Sequence, residues 1–125
     1  MAKSTPSFKF TGVVKANSET LFYEGGYNNV TFNQSGGHNI INGRLNIIDA
    51  SVYNISDGFL NAGSIFIGTD YGGARFNQTG GSVITEEVEF GNSGVGGERY
   101  NLSGGKLSAK NISFFEDSIF NFSGG

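Results

Sequence analysis

The chain has 125 residues, with eight Lys plus Arg against eleven Asp plus Glu, and a net charge of -3 argues against a nucleic-acid backbone as partner. Cysteine is absent, which excludes disulfides and thiolate metal sites. Twelve Phe, five Tyr and 21 Gly, with Leu, Ile and Val recurring at fixed phase, exclude both a disordered polar tract and collagen.

Residues 1–7 read as a short polar tail that holds the single proline, Pro6, and lacks the apolar run of a secretory signal. No stretch reaches the length of a membrane span, so membrane insertion is not expected. Residues 8–31 form a degenerate first coil that opens on Phe8-Lys9-Phe10-Thr11-Gly12-Val13. Residues 32–125 carry the regular repeats. One phrase returns in them five times, beginning at Phe32, Tyr53, Phe76, Tyr100 and Phe120; Phe76-Asn77-Gln78-Thr79-Gly80-Gly81 is typical. From Phe8 onward the leading aromatics are spaced 24, 21, 23, 24 and 20 residues. A period near that length, tolerant of small insertions, marks a solenoid in which each turn of chain stacks on the last. Residues 1–125 are therefore expected to form a single β-solenoid domain.

A second register follows about twelve residues after each aromatic. Leu21 and Tyr23, Leu45 and Ile47, Ile65 and Ile67, Val88 and Phe90, and Ile112 and Phe114 are apolar pairs two positions apart. That spacing predicts strands with one buried face. Arg44, Asn46, Ser64, Glu87, Glu89, Asn111 and Ser113 then point outward. Within the phrase, the aromatic and the residue two further on (Phe10, Gln34, Ile55, Gln78, Leu102 or Phe122) are expected to face in, and Gly-Gly to turn a corner. The glycines Gly68, Gly72, Gly73, Gly91, Gly94, Gly96 and Gly97 mark a second corner.

The predicted fold class is all-β, a single-stranded parallel β-helix of about five to six coils of roughly 22 residues, taken as right-handed from the general chirality of parallel crossovers. Stacking at the strand spacing places Phe8, Phe32, Tyr53, Phe76, Tyr100 and Phe120 in one ladder. Asn33, Asn54, Asn77, Asn101 and Asn121 fall in another, amide on amide. An antiparallel sandwich is the alternative, but it puts successive strands in different environments and has no reason to reuse one phrase.

The phrase aromatic-Asn-x-Ser/Thr-Gly-Gly-x-Leu, followed by Ile67-Gly68 or Phe90-Gly91, resembles the glycine-rich repeats of bacterial surface proteins and autotransporter passenger domains. The resemblance covers Phe32 to Gly125. It implies a parallel β-helix displayed outside the cell as a stalk, adhesin or fibre, an extracellular or cell-surface location, and no catalytic residue to carry over.

No catalytic, cofactor or metal site is expected. His38 is the only histidine and sits at a predicted corner, where an exposed turn residue is the simplest role. Glu86, Glu87, Glu89 and Glu98 cluster, yet neighbouring coils offer Asn, Ser and Gly, so a solvated face is the better reading than a glycoside-cleaving pair. Asp70 is a lone carboxylate, too few for a calcium cage. Arg75 and Arg99 precede their aromatics in successive coils and are expected side by side, where they could bind a sugar acid or pair with Asp or Glu on nearby loops, the plain structural role being favoured.

Both ends of the chain lack a polar cap, and uncovered coil ends invite other chains. The expected partner is therefore the chain itself, head to tail, through an interface of Phe8, Phe10, Phe120 and Phe122. Function would then be structural and non-enzymatic, an extracellular filament. The second expectation is a segment of a surface adhesin or virion fibre. It would present loops 69–74 and 92–98, with Tyr71 and the two arginines, to a glycan or receptor. A polysaccharide lyase or hydrolase on the same scaffold comes third.

Overall fold

The computed structural model describes residues 7–10, 12–16, 19–21, 30–48, 50–68, 73–91, 97–115 and 117–125. Ten strands occur in them and no helix: β1 (Ser7–Phe10), β2 (Val13–Ala16), β3 (Glu19–Leu21), β4 (Thr31–Ile48), β5 (Val52–Gly68), β6 (Arg75–Gln78), β7 (Ser82–Phe90), β8 (Arg99–Leu102), β9 (Lys106–Ser113) and β10 (Ile119–Phe122). Every strand pairing is parallel, and each winding lies on the one before it. The chain is a parallel β-solenoid.

The long strands are not straight. Register shifts between Gln34 and Ser35, Ser35 and His38, and Ile41 and Arg44 leave three continuous runs of β4 against β5, with the single pair of Ser35 and Asp57 between the first two. Each winding therefore has three sides. The first is 31–34, 52–55, 75–78, 99–102 and 119–122, the second 38–41, 59–62, 82–85 and 106–109, and the third 44–48, 64–68, 87–90 and 111–113. Two sides are visible in the spacing of the aromatic phrase and of the Leu/Ile/Val pairs. The second side is not, because its inward residues change type from winding to winding: Asn39 and Ile41, then Leu60 and Ala62, then Val83 and Thr85.

The interior is filled from all three sides. Tyr53, Ile55, Leu60, Ile65, Ile67, Phe76, Val83, Val88 and Tyr100 are completely buried. Each such side chain contributes about 1.5–3 kcal/mol by leaving water, which is why stacked windings are stable where one alone would not be. Between the first and second sides the chain turns on the second glycine of each pair. Gly105 has φ +78, and a Cβ there would land on the carbonyl oxygen of Gly81 in the winding below. A side chain is excluded twice over, by backbone conformation and by the closeness of the next layer.

The winding count is lower than the phrase count suggests. The phrase marks six passes through the first side, yet the described residues close about four turns. A turn is complete only when the chain returns to the same side. The path from β1 to β4 includes residues 22–29, which lie outside the described residues.

Candidate functional site

The aromatic column stands on the inner face of the first side. Ring centroids are 4.9 Å apart for Phe32 and Tyr53, 5.0 Å for Tyr53 and Phe76, 4.6 Å for Phe76 and Tyr100, and 5.0 Å for Tyr100 and Phe120, all stacked. Rings at this separation add roughly 0.5–1.5 kcal/mol per pair beyond burial. The backbone register sets Phe8 opposite Phe32 and Phe10 opposite Gln34.

On the outer face of the same side runs the asparagine column, and it has a direction. Asn54 Nδ2 donates to Asn33 Oδ1 at 2.9 Å, Asn77 to Asn54 at 2.9 Å, Asn101 to Asn77 at 2.8 Å, and Asn121 to Asn101 at 2.7 Å. Each amide N–H thus donates to the carbonyl oxygen of the winding that precedes it. Aligned amides polarise one another, so an inner member of the chain is held more firmly than an end one.

Spacing alone places Gln34 and Gln78 in the inward column but assigns them no partner. The structure supplies partners for both the oxygen and the nitrogen of each amide. Tyr53 Oη donates to Gln34 Oε1 at 2.7 Å, and Tyr100 Oη to Gln78 Oε1 at 2.6 Å. The amide nitrogens turn to the glycine corner, Gln34 Nε2 to Phe59 O at 3.0 Å and Gln78 Nε2 to Lys106 O at 2.8 Å. A buried glutamine therefore serves the tyrosine and the corner carbonyl of the next winding together, where the strand ladder is interrupted. Burial pushes the Tyr100 phenol well above its usual value of 10.0, so it remains a donor. The structural unit is two windings: Phe32 with Gln34, Tyr53 with Ile55, Phe76 with Gln78, Tyr100 with Leu102. Glutamine follows only phenylalanine and an aliphatic residue follows tyrosine, a signal present in the sequence. Phe8 and Phe120 depart from it, with Phe10 and Phe122 where glutamine would fall.

The acidic residues are separately engaged. Glu86 pairs with Lys110 at 2.7 Å, Glu87 accepts from Ser113 Oγ at 2.6 Å, and Glu89 pairs with Arg44 at 3.1 Å while the Arg44 guanidinium lies 4.9 Å from the Phe66 ring centre. Glu98 is apart from them and buried, and its Oε1 has no hydrogen-bond partner among the described residues. His38 is exposed at the start of the second side, its ring tilted against Phe59 at 5.7 Å. Arg75 and Arg99 occupy directly opposed positions on the first side. Asp70, Tyr71 and most of loops 69–74 and 92–98 lie outside the described residues, as does Tyr23.

In the winding of β9 and β10 the inward columns are exposed among the described residues. Ile112 is 37%, Phe114 57% and Phe122 65% exposed, whereas Val88, Phe90 and Leu102 one winding earlier are 0%, 3% and 4%. Phe114 still stacks on Phe90 at 5.3 Å, so the column is intact and its outer face open. No protein-family model, curated protein or solved structure matches the chain. Fold and ladders together define its class, a parallel β-solenoid of stacked aromatic and asparagine columns.

Proposed function

We propose that the chain is a non-enzymatic structural solenoid that stacks end to end into an extracellular filament. The observation that supports this reading is the continuity of the columns: Ile112, Phe114 and Phe122, exposed among the described residues, stand where Val88, Phe90 and Leu102 are buried one layer below, so a further winding in the same register would cover them. The same layer holds the strand edges of β9 and β10, whose free N–H and C=O groups can pair with another strand in the same parallel register. The first winding of a second copy supplies that strand, Phe8 over Phe120 and Phe10 over Phe122. A heterologous contact of this kind does not close, so it extends into a fibre.

The non-enzymatic part is supported by the engagement of Glu86, Glu87 and Glu89 with a lysine, a serine and an arginine. The extracellular part is supported by the resemblance of the repeated phrase to bacterial surface repeats. Electron microscopy of the purified chain tests the reading. Unbranched filaments that are lost in Phe122→Asp are expected, and uniform monomers at high concentration would overturn it.

A further inference from the structure

We infer that Arg75 and Arg99 form a binding site for an acidic polysaccharide on the flank of the rod. The two residues are direct partners in the parallel register between β6 and β8, so they stand one strand spacing apart on the outer face, and both are exposed. Like charges directly opposed across strands are unfavourable. Other stacked positions in this column carry Val52 and Ile119, uncharged β-branched residues that suit an exposed strand.

Two of the other cations are offset. Arg44 meets Glu89 and Lys110 meets Glu86. Neither Arg75 nor Arg99 makes an ion pair or side-chain hydrogen bond among the described residues. In a chain of net charge -3, two adjacent guanidiniums with no acid paired to them among the described residues leave two forks open for carboxylate or sulfate oxygens.

The surroundings select the kind of anion. Two residues along the same face stand Asn77 and Asn101, each spending one Nδ2 hydrogen on the ladder and retaining a second for an outside acceptor. The site is thus a straight row in which charged forks run beside neutral amides. That row matches a linear chain bearing an acidic group and hydroxyls on successive sugars. A peptide strand gains its affinity from an open sheet edge, and here the backbone on both sides of the arginines is already paired. Two cations are too few for a nucleic-acid backbone.

Isothermal titration of the full chain with polygalacturonate, dextran sulfate, neutral dextran and polyglutamate tests the assignment. Polygalacturonate or dextran sulfate is expected to bind and dextran not to, and the tighter polyanion identifies the acidic group. Arg75→Gln/Arg99→Gln is expected to weaken binding about tenfold or more, while Lys106→Gln, on the second side, leaves it unchanged. Arg75→Lys/Arg99→Lys keeps the charge and loses the fork, and is expected to fall between. Melting of each variant by circular dichroism checks that the solenoid persists. Absence of binding to both acidic polysaccharides, an equal loss in Lys106→Gln, or polyglutamate binding as tightly as either polysaccharide would each overturn the proposal. Because the site is on the flank, its failure leaves the filament reading untouched.

Discussion

Tyr100 Oη lies 2.6 Å from Gln78 Oε1, one winding below, in the completely buried interior. A phenol there needs an acceptor and an amide needs a donor, so each justifies the other. Replacing Gln78 by Leu removes the acceptor and strands the hydroxyl, which costs about 1–3 kcal/mol. Gln78→Leu is therefore expected to be markedly destabilising, and Tyr100→Phe in that background to recover part of the loss. Urea unfolding of the two single variants and the double variant measures the coupling. Simple additivity would show that the pair does not act as a unit.

The same residue sets the response to alkali. The folded chain holds the Tyr100 phenol protonated beyond its ordinary value of 10.0, whereas the unfolded chain releases the proton near that value. Above it the unfolded state binds fewer protons, so stability falls as pH rises. Below it the contribution is fully present. Thermal unfolding of the wild type is expected to drop more steeply above pH 10.0 than that of Tyr100→Phe. Near-ultraviolet tyrosinate absorbance should report ionisation of this residue together with unfolding.

Position along the asparagine ladder decides what each amide is worth. Asn77 donates to Asn54 and accepts from Asn101, whereas Asn121 makes only the donation to Asn101 among the described residues. At about 0.5–1.5 kcal/mol per bond, Asn77→Ala is expected to cost about twice as much as Asn121→Ala. Thermal melts of the two variants compare them directly. Equal losses would show that the second bond of an inner amide adds nothing.

Gly105→Ala combines a strained backbone with a collision against the Gly81 carbonyl. A non-glycine residue held at positive φ costs on the order of 1–3 kcal/mol before any clash. By contrast, Glu89→Gln removes a solvent-exposed pair with Arg44 and is expected to change stability by less than about 1 kcal/mol. Denaturant midpoints of the two variants should differ accordingly. A larger loss in Glu89→Gln would place the critical contact on the third side instead of at the corner.

The columns of Phe32, Tyr53, Phe76 and Tyr100, and of Asn33, Asn54, Asn77 and Asn101, can be read from the chain because a repeat in sequence becomes a translation along the axis. Residues at equal phase then meet, whatever the shape of the cross-section. The second side has no such repeat, since Asn39, Leu60 and Val83 share a position and not a residue type. Its existence depends on where the glycine corners and register shifts bend the path. Across those corners the tertiary structure alone decides that Gln78 reaches both Tyr100 Oη and Lys106 O, and that Glu98 turns inward while Glu87 and Glu89 remain on the outer face. Periodicity specifies what lies above a residue. What lies beside it depends on the angle of the turn, which arises from packing in three dimensions.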